Sequence, residues 1–149
     1  MIEIRRLEKG INYDDYDEIY MIVRSMKSKD ERIKQLDILS PSPSLFKFHR
    51  ECVNKGTWNQ NTFNKAYVPV FITQLQHSPL AKQVLQDLYH KDMSGKRICL
   101  MCYCTNEAMC HRSIIAGILQ GLGCNVKLPS KADYSNYYLS FIFGQAKEG

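Results

Sequence analysis

Three observations predict an open α/β fold for this chain. Arg97 to Tyr103 is apolar almost throughout, as a central strand covered on both faces should be. His111 to Leu122 follows with a helical stripe of Ile114, Ile115, Ile118, Leu119 and Leu122. Cys124 to Leu128 then reads as another strand. Strand, helix and strand in that order imply a parallel pair, because parallel neighbours need a crossover. The expected architecture is one domain over residues 1–149 with an open, mainly parallel sheet flanked by helices, Rossmann-like in outline. A chain of 149 residues is the right size for one such domain. With 44% hydrophobic and 23% charged residues, disorder, collagen and coiled coil are excluded as descriptions of the whole.

The remaining elements follow in chain order. Residues 2–7 begin with alternation and predict a short strand that ends by Gly10. Acids at 14, 15, 17 and 18 predict a turn or short helix. Ile19 to Val23 is an apolar run of strand length, with a helix over 14–27 as its rival. Residues 28–36 are polar and are expected to cross the surface. Pro41 and Pro43 forbid regular structure just before them, so Ser42 or Ser44 caps a helix to about 55, stopped by Gly56. A second helix from Asn61 or Thr62 to about 76 places Phe63, Ala66, Tyr67, Val70, Phe71 and Leu75 on its apolar side, with a kink or break at Pro69. A third starts at Ser78-Pro79 and carries Leu80, Val84, Leu85 and Leu88. Gly121 and Gly123 supply the stop after residue 122. The aromatic segment Asp133 to Phe143 reads as a docking helix that packs on the core or on a second copy of the chain.

Charge and targeting narrow the partners. Twenty basic and fifteen acidic residues give +5, compatible with an anionic partner, but no basic block marks a nucleic-acid surface. No apolar run approaches the ~18 residues of a membrane span. The first residues lack the apolar core of an export signal, so the cytoplasm is the expected compartment and structural disulfides are not expected among the six cysteines.

The sharpest functional signal is the segment 104–113. In open parallel sheets, ligands bind where loops leave the carboxyl ends of strands. Cys104, Thr105, Asn106, Glu107, Cys110, His111, Arg112 and Ser113 occupy that place. A helix start presents free N–H groups and attracts anions, whereas a cation in the first turn is unfavourable by up to ~1 kcal/mol. His111 and Arg112 at that end make sense around a phosphate or carboxylate, which arginine grips with two N–H groups. The bland alternative pairs Arg112 with Glu107. Zinc is a rival, with Cys99, Cys102, Cys104, Cys110 and His111 as ligand types. Strand alternation sets Cys99 on the face opposite Cys102 and Cys104, and neighbouring helical residues diverge by about 100°. Three ligands can converge and four are strained, so no metal and no other cofactor is expected. Thiol catalysis through Cys104 or Cys110, with His111 or Glu107 as acid or base, is chemically reasonable. The spacing does not fit a phosphatase loop, because seven residues separate Cys104 from Arg112 and one separates Cys110 from Arg112. His49, His77 and His90 lie on polar helix stretches and read as surface groups, and Trp58 reads as a core plug.

Several of these motifs resemble the family called domain of unknown function 488, including its YeaO-like branch. Ile2 to Leu7 is similar to that family's first strand, and Tyr20 to Arg24 to a second strand ending on arginine. Leu39-Ser40-Pro41-Ser42 with Leu45-Phe46 resembles its Pro-Ser turn, and Trp58, Phe63 and Tyr67 its aromatic helix positions. Cys104 with Cys110-His111-Arg112 is similar to the Cys-His-Arg signature of many members, although the YeaO-like branch often lacks it. The resemblance covers roughly residues 1–128. It implies a small cytosolic α/β fold and a site drawn from Arg24, Ser40, Ser42, Tyr67 and the 104–113 loop. It implies no established reaction. Similar short proteins occur in phage genomes.

The expected function is therefore binding of a small phosphorylated, nucleotide-type ligand at the 104–113 loop. In a phage setting it extends to an anti-defence role, by sequestering a cyclic nucleotide or an ADP-ribose derivative that serves as an immune signal. A hydrolase or transferase using Cys104, Cys110 or His111 on the same ligand ranks second. A nucleic-acid or protein interaction module ranks third. The absence of a Gly-x-Gly-x-x-Gly or Walker loop removes support from dinucleotide oxidoreductases and P-loop enzymes.

Overall fold

A computed structural model of the chain describes residues 1–27 and 30–144. Five strands form one sheet: β1 (Ile2–Arg6), β2 (Glu18–Met21), β3 (Ile33–Gln35), β4 (Ile98–Cys102) and β5 (Val126–Lys127). Their order is β3-β2-β4-β1-β5, and every neighbouring pair is parallel. Ile2 of β1 lies opposite Ile98 on one side and Val126 on the other. The strand expected at 19–23 is thus present as Glu18–Met21, and its helical rival is not.

β3 corrects the expectation that residues 28–36 only cross the surface. Ile33 is buried against β2 while Lys34 and Gln35 stay exposed. One inward residue suffices for a three-residue edge strand, and it leaves no apolar run to read. Residues 28 and 29 of that stretch lie outside the described residues.

The first and third helices begin at their expected caps, while the second begins at Gln60 rather than at Asn61 or Thr62. Ser42 Oγ accepts the Leu45 N–H at the start of α1 (Pro43–Lys55), and Gly56 ends it at φ 72°. Asn59 caps α2 (Gln60–Thr62), which runs through a π turn at Phe63–Tyr67 into α3 (Val68–Gln76). Pro69 has no N–H and its ring crowds the carbonyl four residues back, so the widened turn just before it is the form the expected kink takes. The changed winding also corrects the stripe: Ala66 and Val70 face solvent, while Phe63, Tyr67, Phe71 and Leu75 are buried. Ser78 caps α4 (Pro79–Met93), whose buried side is Ala81, Leu85 and Leu88, with Leu80 turned outward.

α5 (His111–Leu122) is buried from His111 through Leu119. Gly123, at φ 98°, terminates it. Gly121 serves a different purpose from the expected stop. A Cβ there would lie 2.1 Å from Tyr138 Cβ, and one at Gly117 would lie 2.0 Å from the Tyr134 carbonyl oxygen. Both glycines let the chain into α6 (Asn136–Phe143) press directly on α5. The aromatic segment docks on its own chain through Tyr134, Tyr137, Tyr138 and Phe141.

The larger core joins Ile2, Ile4, Ile98 and Leu100 of the sheet to the helices. On the other face Ile19, Met21, Ile33, Cys99 and Met101 pack against Ile11, Tyr13, Tyr16 and Tyr103. The topology selects one crevice. From β1 the chain crosses β4 to reach β2, and from β4 it crosses β1 to reach β5. The loops after β1 and β4 therefore leave in opposite directions, which opens a gap between those strand ends.

Candidate functional site: a thiol cluster beside an arginine-lined cleft

Strand alternation sends Cys102 and Cys104 to the same face. Cys110 closes the group from the other side of the loop. It precedes α5 in an extended conformation (φ −124°, ψ 147°), so its side chain is not governed by helical spacing. The three Sγ atoms lie within 4.8 Å of one another, with Cys102 and Cys110 3.3 Å apart. All six cysteines are free thiols.

Arg112 reaches into this group. Its Nη1 donates to the Cys104 carbonyl at 2.6 Å and to Cys102 Sγ at 3.1 Å. Its Nε is buried with no acceptor. Glu107 is not its partner. That carboxylate accepts from the Tyr134 hydroxyl at 2.8 Å and from the Ser130 hydroxyl. His111 is fixed by a 2.7 Å bond from Nε2 to the Ile22 carbonyl. A carbonyl can only accept, so Nε2 carries the proton and Nδ1 faces Cys110 Sγ at 3.6 Å.

The neighbours push the three thiols in different directions. Cys104 and Cys110 hydrogen-bond to Cys102 and pull its thiol well below the ordinary range, against burial and with help from His111 and Arg112. The Cys102 neighbour pushes Cys104 up to about 11, and burial pushes Cys110 up. Sequence reasoning set Cys102 beside Cys104 but did not count it among the site residues. Its strand register was the available signal.

An aromatic wall covers the cluster. Tyr67, at the end of the π turn, is buried, and burial and the three cysteines raise its phenol. It stacks on Phe63 at 5.2 Å and meets Trp58 edge-on at 5.5 Å. His49 corrects its expected place on the surface: it packs 4.4 Å from the Trp58 ring, where burial and His111 lower its pKa. Gln60 Nε2 ties this wall to the loop through the Ala108 carbonyl.

The other expected site residues serve the backbone. Asn106 caps the turn at Glu107–Met109, and Ser113 Oγ donates to the Cys110 carbonyl. Arg24 Nε donates to the Pro41 carbonyl, Ser40 Oγ to the Asp37 carbonyl, and the Ser42 N–H to Gln74 Oε1. These three form a turn network of their own, separate in its bonds from the cysteines.

A cleft of about 490 Å³ lies in the gap between the ends of β1 and β4. Arg5, Arg6, Thr105 and Arg112 line it, with Glu3, Glu8 and Glu107. Glu3 and Glu8 face Arg5 at 3.5 and 3.8 Å. Arg6 makes no ion pair among the described residues. Sequence reasoning missed Arg5 and Arg6 here because their role depends on which strand lies beside β4.

Among the described residues no helix is long and apolar enough to cross a membrane. No curated protein and no solved structure matches the chain. A family model, DUF488-N3a, described as the active DUF488-N3 subclade, matches residues 2–123. That span holds the whole thiol cluster, Arg112, the aromatic wall and both arginines of β1, and it leaves out β5 and α6. By this match over most of its length, the chain belongs to the DUF488 family, in the active DUF488-N3 subclade.

Proposed function

We propose that the chain binds a small phosphorylated, nucleotide-type ligand in the cleft between the ends of β1 and β4. The observation that carries this reading is the Arg112 guanidinium: it borders the cleft and, among the described residues, has no carboxylate partner and keeps a buried Nε without an acceptor. Such a group costs about 1–3 kcal/mol unless an acceptor arrives. Arg6 and the Thr105 hydroxyl stand on the same rim and suit phosphate oxygens. The crevice where crossovers diverge is the usual ligand position in open parallel sheets. Where the ligand is held intact, the physiological form of this reading is sequestration of a nucleotide signal, an anti-defence role. Six free thiols suit a reducing compartment such as the cytoplasm.

Turnover of the same ligand is the second reading. It is favoured by the lowered Cys102 thiol beside Arg112 and by the word active in the subclade's description. One experiment separates the two. The chain is incubated with mononucleotides, cyclic nucleotides and ADP-ribose derivatives, washed, denatured, and the released compounds identified by mass spectrometry. A ligand returned intact supports binding. A changed mass supports turnover and names the bond broken. Retention of nothing, with every compound unchanged, overturns both.

A further inference from the structure

The three sulfurs also pose a problem of charge. Arg112 is a buried cation whose hydrogen-bond partners are the Cys102 thiol and the Cys104 carbonyl. One ionised sulfur is enough to balance it; all three can ionise within 4.8 Å of one another only with a cation among them, because ionised sulfurs that close repel strongly in a buried setting. Three thiolates, one divalent ion and one guanidinium sum to zero.

The geometry points to a site for one soft divalent cation of the zinc class, held by Cys102, Cys104 and Cys110. Zinc binds thiolate at about 2.3 Å, which sets sulfurs around it roughly 3.8–4.0 Å apart. The cluster runs from 3.3 Å to at most 4.8 Å, so small side-chain rotations reach that spacing. The surroundings match what orients metal ligands elsewhere. Arg112 already donates to one sulfur at 3.1 Å. His111 is locked by the Ile22 carbonyl with its Nδ1 3.6 Å from Cys110 Sγ, about the separation of a nitrogen and a sulfur on one zinc ion. The expectation that Cys110 and His111 diverge fails because Cys110 is extended rather than helical. Binding is acid–base chemistry alone: each protonated thiol releases its proton to solvent as its Sγ–metal bond forms, and no electron is transferred. This site stands whether or not the cleft takes a phosphorylated ligand.

The test uses the full chain, purified under reductant, stripped with chelator, and titrated with Co(II) and then Zn(II). The expected result is one cobalt per chain with thiolate-to-cobalt charge-transfer absorption, displaced by one zinc. Zinc should also slow the reaction of the half-buried Cys104 with a thiol reagent, a readout that needs no variant. Cys104→Ser alters a half-buried side chain and should keep the circular dichroism of the fold while weakening zinc at least about 100-fold. Cys99→Ser, on the opposite face of β4, should bind as the unaltered chain does. Absence of the charge-transfer bands, or equal affinity in Cys104→Ser and the unaltered chain, overturns the site.

Discussion

The two ends of the sheet are built from opposite materials. At the amino ends of the strands, charge is paired. Asp92 pairs with the Met1 ammonium at 2.6 Å through Oδ1 and accepts the Asn125 N–H at 3.0 Å through Oδ2. Glu18 faces Lys91 at 2.6 Å and Lys96 at 3.1 Å, and Asp17 faces Arg97. At the carboxyl ends Arg5 still meets Glu3 and Glu8, but Arg112 donates to a thiol and a carbonyl, and Arg6 has no ion pair among the described residues. Paired charges gain from each other in the folded chain, whereas an orphaned guanidinium is a cost that a bound group can offset. The difference assigns stability to one end and recognition to the other.

The largest expected effect comes from removing the orphan. Arg112→Ala should weaken retention of a phosphorylated ligand at least about 100-fold, roughly 3 kcal/mol. Equilibrium binding of whichever nucleotide the mass-spectrometric screen returns gives the measurement. Unchanged affinity would break the comparison at its recognition end. Next in size is Asp92→Ala, which leaves the Met1 ammonium with the Lys96 carbonyl but no counter-charge and the Asn125 amide without its acceptor. It should cost about 2 kcal/mol in urea unfolding while ligand retention stays as it was. Equal damage to stability and binding would show that the two ends are not separable.

These assignments differ in how far the sequence announces them. Caps at Ser42, Ser78 and Gly123 act through bonds within four residues, so they are legible without the fold. The strand–helix–strand unit at 98–127 is legible because burial on both faces leaves an apolar run. β3 is not, because an edge strand needs one buried residue only. The loop after β4 can be found from topology alone, yet its neighbours cannot. Arg5 and Arg6 enter the cleft because β1 pairs with β4, and His49 leaves the surface because Trp58 folds back over it. The helical argument against bringing Cys110 and His111 together fails on one backbone angle pair, which no local pattern fixes.

An acid titration sharpens the stability end. Burial would raise the Glu18 carboxyl, but hydrogen bonds from Lys91, Tyr20 and Lys96 hold it at about 2. A folded value below the unfolded one means that its contribution is fully present above pH ~4.5 and is lost as pH falls through about 2. Both lysines are partly exposed, so solvent screening reduces the effect to about 1–2 kcal/mol. Urea unfolding between pH 6 and pH 2.5 should show this decline, and Glu18→Gln should flatten it. An identical slope in the variant would move the acid sensitivity to other carboxylates.

The smallest expected effect tests the comparison across the sheet rather than along it. Cys99 and Cys102 sit on one strand, both almost fully buried. Burial, then the carboxylate of Glu3, raises Cys99 to about 12, while two thiols and Arg112 lower Cys102. Their burial is equal, so the neighbours set the direction. Glu3→Gln should therefore ease Cys99 downward by under about 1 kcal/mol, because burial dominates there. Cys102 should not respond. Ultraviolet thiolate absorbance against pH separates them, the Cys99 transition being the absorbance lost in Cys99→Ser and the Cys102 transition that lost in Cys102→Ser. A Cys99 transition that stays in place assigns its shift to burial alone. One that falls to an ordinary thiol value makes Glu3, rather than the apolar packing of Ile19, Met21 and Met101, the main reason that this cysteine is inert.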